Sequence, residues 1–211
     1  MLSEYFNQLD KYREEVTDHL DREVIKEKQE ELNVIFPQSM TEFYLHFGND
    51  KEVLSSFYVF DSIEDIKIEY DAVSFGEKHE GMGRLGILLE DLDTDEETVS
   101  WYPYDMHKWF VEESIAFIFF FGIAAWQVLN LMPSIAKIHI CEEEFKQLIG
   151  EELKYLSENS LLLLGDVIPV VGKGVLGCYL ASDEELYLGT LNGDEVLEEY
   201  EELLNIDLNW L

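Results

Sequence analysis

FPQSMTEFYLHFGND, residues 36–50, reads as one complete helix with its punctuation. Pro37 sits where a first turn tolerates a missing N–H, and Gly48 stands where helices commonly stop. Between them Met40, Phe43, Tyr44 and Phe47 recur at i, i+3, i+4 and i+7 and define one apolar face. Four large side chains on so short a helix need a surface to bury against, so the stretch predicts a helix pinned to a core.

Working outward from it, Tyr5, Leu9, Tyr12, Val16 and Leu20 keep helical spacing and predict a helix over 3–20. A charged helix over about 22–32 then leads through Val34 and Ile35 into the quoted stretch. Downstream, SSFYVF (55–60) reads as a strand and SIEDIKIEYDAV (62–73) returns to helical spacing. RLGILLE (84–90) and TVSWYPY (98–104) predict two strands flanking an acidic loop. Phe145, Leu148, Ile149, Leu153 and Leu156 predict an amphipathic helix over 141–156. GVLGCYLASDEELYLGTL (174–191) predicts a hairpin turning at 182–185. Asp194 is placed to cap a last acidic helix, with Val196, Tyr200, Leu203 and Leu204 inward. Helices and strands are interspersed without regular βαβ alternation, which predicts an α+β fold. No repeat or linker divides the 211 residues, so one domain over 1–211 is expected.

Charge is the unusual feature. Asp and Glu number 46 against 14 Lys and Arg, a formal net of −32. Such a field repels phosphate backbones and anionic lipid, so direct nucleic-acid or membrane binding is disfavoured. It favours a basic protein partner and speeds encounter with one, although high charge also serves solubility alone. Cys141 and Cys178 are too few for a disulfide framework, and MLSEYFNQLDKYREE lacks the apolar core of a signal peptide. A cytoplasmic location is expected.

Ile115 to Met132 is polar only at Gln127 and Asn130. A bilayer span needs about 20 apolar residues, and no Lys/Arg asymmetry flanks this segment. Gly122, Ala124 and Ala125 point to close packing by neighbouring elements, so a buried core helix is the reading.

The strings that resemble chemistry do not survive their context. GMGRLG (81–86) and GKGVLG (172–177) match a dinucleotide fingerprint, but neither is followed by a helix that could receive a pyrophosphate. Asp91, Asp93 and Asp95 alternate as in a calcium loop, yet Glu96 and Tyr102 stand where such a loop needs Gly and Glu. His139 and Cys141 have no second pair at zinc spacing. No nucleophile elbow or His-Glu-x-x-His occurs. No enzyme activity, cofactor or metal is expected.

Three segments, in order, resemble the SUKH superfamily. ELNVIFPQSMTEFYLHFGN (31–49) is similar to its N-terminal signature, in which a helix ends near a Leu-Pro pair and the next carries an aromatic core. LGILLEDLDTDEETVSWY (85–102) resembles its later strand pair, and SIAFIFFFGIAAWQ (114–127) the apolar helix that follows. Ile35-Phe36-Pro37 replaces the usual Gly-Leu-Pro, and Phe47-Gly48-Asn49-Asp50 replaces Asn-Gly-Gly. The likeness covers about residues 25–132, leaving 135–211 as a possible extension or subdomain. It implies a central, mostly antiparallel sheet with helices around it, and a binding role. Bacterial members are immunity proteins that neutralise secreted toxins, often nucleases, whereas fungal relatives regulate cell-wall assembly. An immunity protein and a regulatory scaffold both fit. For either, the candidate partner-binding residues are Glu90, Asp91, Asp93, Asp95, Glu96 and Glu97, with Trp101 and Tyr102 as apolar anchors or core residues. The nine carboxylates of 183–202, with no Lys or Arg among them, form a second candidate surface.

Overall fold

A computed structural model of the chain describes residues 2–78, 81–92, 97–113, 115–150, 152–157 and 165–211. Helices α1 (Leu2–Leu9), α2 (Arg22–Leu32), α3 (Gln38–Phe47) and α4 (Lys51–Ser55) precede strands β1 (Val59–Phe60), β2 (Lys67–Glu69), β3 (Ala72–Lys78), β4 (Gly83–Leu88), β5 (Val99–Pro103) and β6 (Phe110–Glu113). Helix α5 (Ala116–Leu129) leads to β7 (Ser134–His139), α6 (Glu142–Leu148), β8 (Lys154–Tyr155), β9 (Val167–Gly172), β10 (Val175–Leu180), β11 (Glu185–Thr190), α7 (Asp194–Leu204) and β12 (Asn209–Trp210). The class is α+β with antiparallel sheets, as the interspersed pattern predicts, and the strands are shared between two sheets. Chain contacts divide the molecule into two compact units, Thr17–Phe121 and Ser3–Val16 with Gly122–Leu211.

In the first unit the sheet runs β1-β3-β4-β5-β6, with β2 also on β3. The stretch 36–50 behaves as its spacing predicts. Met40, Phe43, Tyr44 and Phe47 of α3 are fully buried, and Phe43 meets Phe60 and Phe120 with ring centroids 5.0 and 5.3 Å apart. The buried Tyr44 hydroxyl donates to the Asp61 carbonyl at 3.0 Å, with the Phe75 carbonyl at 3.1 Å. Asp50 caps α4 by accepting from the Val53 N–H at 2.9 Å.

Two helices predicted from spacing take other forms. Residues 3–20 are helical only through Tyr12, and Arg13 turns the chain extended. Beyond it the Leu20 N–H bonds the Leu45 carbonyl at 2.9 Å, a tertiary partner that replaces the helical one. Residues 62–73 form a loop followed by β2 and the start of β3, a hairpin with Tyr70 and Asp71 both at positive φ in its two-residue turn. Ile63, Ile66, Tyr70 and Val73 mimic helical spacing there, but Ile63 and Ile66 lie buried in the loop before β2. SSFYVF supplies only the short β1: Ser55 ends α4, and residues 56–58 are bends between the two.

The second unit has sheet order β12-β7-β11-β10-β9-β8. The predicted hairpin is β10–β11, closing from Leu180 to Glu185. Phe145 of α6 stacks on Tyr179 at 4.1 Å in the core, and α7 contributes Leu197 and Tyr200. The helix predicted over 141–156 ends at Leu148, and β8 follows. Leu203 is exposed, contrary to its expected inward position, because Leu197 and Tyr200 occupy the buried stripe. Asp194 does not cap α7; its carboxylate accepts from the Ser134 hydroxyl at 2.6 Å instead.

Helix α5 is buried on nearly every side, and an added Cβ at Gly122 would lie 2.7 Å from the Val167 carbonyl. Among the described residues no helix is long and apolar enough to cross a membrane.

Candidate functional site

The acidic loop starts where β4 ends. Its base is fixed by two backbone bonds, Asp91 N–H to the Leu88 carbonyl and Leu89 N–H to the Asp71 carbonyl, both 3.0 Å. Glu90 is exposed and Asp91 half-buried, while Asp93, Asp95 and Glu96 lie outside the described residues. At the far end Glu97 is half-buried, burial pushes its carboxyl up, and its carbonyl accepts from the Ala116 N–H at 2.7 Å. Glu97 thus serves the start of α5, and among the described acids of this loop Glu90 is the exposed one.

Trp101 and Tyr102 point to opposite faces of β5, as neighbours on a strand must. Trp101 pairs with Leu85 and Phe110, and the Lys78 ammonium lies 5.0 Å from its ring centre while bonding both oxygens of Glu112 at 2.7 Å. Its indole N–H is buried without a hydrogen-bond partner among the described residues. Tyr102 is buried on the other face, stacked on Tyr70 at 4.2 Å and against Trp109 at 5.2 Å. Tyr102 is thus a core residue of its face, while Trp101 is half-buried with its indole N–H inside.

Exposed and half-exposed apolar residues that the sequence reading did not single out lie beside the loop base. A cleft of about 710 Å³ opens between the C-terminal end of α2 and the loop base, lined by Val34, Ile35, Leu89 and Leu92, with Lys26, Gln29, Glu30 and Asn33 around them. Its wall follows from the end of α2. Asn33 adopts the left-handed conformation that closes the helix, and the Val34 N–H returns to the Gln29 carbonyl at 3.0 Å. The Gln29 side chain then accepts from the Phe36 N–H at 2.6 Å, which sends Phe36 into the core and leaves Ile35 78% exposed. Three consecutive apolar residues, Val34 to Phe36, were the available signal. An extended chain cannot turn all three to one side.

Across the open face of the first sheet a polar network surrounds Arg84, which is buried. Its guanidinium bonds Asp61, its Nε donates to the Ser74 hydroxyl at 2.8 Å, and Glu77 lies 3.6 Å away. Glu69 Oε1 lies 2.8 Å from Nε but off the N–H direction, and is buried without a hydrogen bond among the described residues. Burial pushes the Asp61 carboxyl up, and the Arg84 hydrogen bond and charge draw it partly back. Burial would lower Arg84, but Asp61 and Glu69 outweigh it and hold the guanidinium charged. Tyr104 donates to Glu77 at 3.0 Å, and partial burial with that carboxylate moves its phenol up to about 12. Lys67 also reaches Glu69 at 3.3 Å, so two cations, Arg84 and Lys67, sit among the three carboxylates Asp61, Glu69 and Glu77.

The second acidic surface is partly spent on the fold. Glu185 bonds Lys137 at 2.7 Å, Asp194 bonds Ser134, and Glu201 accepts from the Leu208 N–H at 2.7 Å. Glu195, Glu198, Glu199 and Glu202 of α7 remain exposed, as do Asp183 and Glu184 of the hairpin turn. The two glycine strings resolve into turns, with Gly81 and Gly174 both at positive φ.

Set against known protein families, curated proteins and solved structures, the chain matches none. The likeness to the SUKH superfamily accordingly rests on the three quoted segments.

Proposed function

We propose that this chain is a non-enzymatic, cytoplasmic immunity protein that neutralises a secreted, nuclease-like toxin by covering its basic substrate groove. The observation that carries the reading is the apolar cleft of Val34, Ile35, Leu89 and Leu92 beside the acidic loop. Charge alone steers encounter but gives short-lived complexes, whereas an apolar anchor with a charged rim supplies lifetime and rate together. The net charge of −32 and the SUKH-like segments favour the same partner, a basic protein rather than a nucleic acid or a bilayer.

The test uses a nuclease-like toxin that the chain binds, sought first among the products of adjacent genes, and separates the two contributions. Changing Glu90 and Asp91 to Gln and Asn should slow association and flatten its salt dependence, because rim charges act chiefly on encounter. Ile35→Ser with Leu92→Ser should leave association nearly unchanged and shorten complex lifetime by roughly tenfold or more, the loss expected of a buried anchor. Unaltered kinetics in both variants would place the docking face elsewhere, and absence of any complex would overturn the immunity reading.

A further inference from the structure

The turn joining β2 to β3 carries a residue that its own geometry disfavours. Both central positions need positive φ, which Asn and Gly adopt readily. Tyr70 stands at the first with φ 52°. A bulky side chain in that region persists only where its surroundings hold it. Here they do. The Tyr70 ring lies flat on Tyr102 with planes 8° apart, and the Trp109 indole N–H donates to the Tyr70 carbonyl at 2.8 Å. The residue is nevertheless 49% exposed. The turn therefore displays an aromatic ring to solvent on a rigid aromatic base.

Its electrostatic setting selects the occupant. Glu69 and the exposed Asp71 flank Tyr70 in the chain, and the Arg84 guanidinium faces Asp61, Glu69 and Glu77 within 3.6 Å. The resident cations, Arg84 and Lys67, are thus outnumbered by acids on this face, and Lys67 already pairs with Glu69 at 3.3 Å. An aromatic face attracts cations through its quadrupole, and a planar guanidinium stacks on it while its edge N–H groups bond carboxylates. A lysine ammonium is compact and strongly hydrated and makes no such stack. We propose that Tyr70, backed by Tyr102 and Trp109 and flanked by Glu69 and Asp71, is a seat for an arginine side chain of a protein partner. The inference stands apart from the toxin reading, since it concerns a side chain that many basic proteins could present.

The probe is N-acetyl-arginine N-methylamide, titrated at millimolar concentration and near-physiological salt into the uniformly ¹⁵N-labelled full chain. The Trp109 indole N–H and the amides of 69–71 should shift saturably, and more strongly than with the lysine analogue. Tyr70→Asn suits the turn and keeps the fold, as a thermal melt would confirm. It should weaken this binding about two- to fivefold, in keeping with an exposed cation–π contact. Tyr70→Phe retains the ring and should bind as wild type does. No shift at these signals would overturn the proposal. So would equal shifts with lysine, shifts spread over the whole acidic surface, or an unchanged response in Tyr70→Asn.

Discussion

Phe43 shows how much one side chain can be told from spacing. It sits in the middle of the apolar stripe of α3, and the fold places Tyr44, Phe47, Phe60 and Phe120 around it with centroids 5.0 to 5.5 Å away. Truncating a buried Phe removes its transfer free energy and leaves a cavity, a cost of about 3–5 kcal/mol. Phe43→Ala should lower the melting temperature by roughly 10 °C in a chain of this size. An unchanged melt would mean that the ring anchors no core. Spacing was less informative at Leu203 and Asp194. Leu203 fits the periodic stripe of α7 and Asp194 the cap position, yet Leu203 faces water and Asp194 bonds Ser134. Several residues of an amphipathic helix fit the stripe almost equally well, and only the docked orientation decides which are buried.

Elements were legible where local and tertiary forces agree. Helix α2 has Asp21 accepting from Glu23 N–H at its start and Asn33 closing its end, and its limits follow from those signals. The hairpin β2–β3 was not legible, because its turn uses Tyr-Asp in place of the usual Asn-Gly and its apolar residues imitate a helix. Helix α5 was recognised as core from Gly122 and its neighbours, and the close approach of Val167 gives the reason. Replacing Gly122 by Ala improves helix propensity by about 0.8–1.0 kcal/mol, but the new methyl meets a backbone carbonyl at 2.7 Å. Overpacking against such an atom costs typically about 1–3 kcal/mol, so Gly122→Ala should lower stability in a denaturant titration. A gain would show that β9 yields without strain.

At the scale of the whole molecule, 46 acids against 14 bases set a self-repulsion that local ion pairs cannot cancel. Several of the few cations are committed, Arg84 to Asp61, Lys78 to Glu112 and Lys137 to Glu185. Raising sodium chloride from about 10 mM to 1 M shortens the screening length from roughly 30 to 3 Å, which relieves long-range repulsion more than it weakens these short, partly buried pairs. The melting temperature should therefore rise with salt, measured in chloride to avoid the excluded-solute effect of sulfate. A falling melting temperature would show that the pairs outweigh the field.

The sequence by itself determined the α+β class, the α3 core stripe, the strands on either side of the acidic loop, the second hairpin and the excess charge. Each is set by local periodicity, turn chemistry or simple counting. Tertiary structure alone decided that Ile35, Leu89 and Leu92 line one cleft, that Tyr102 backs Tyr70, and that Arg84 gathers Asp61, Glu69 and Glu77. Those groupings join residues from separate elements, and strand register is set by which face the whole core can bury. No window of sequence contains that information.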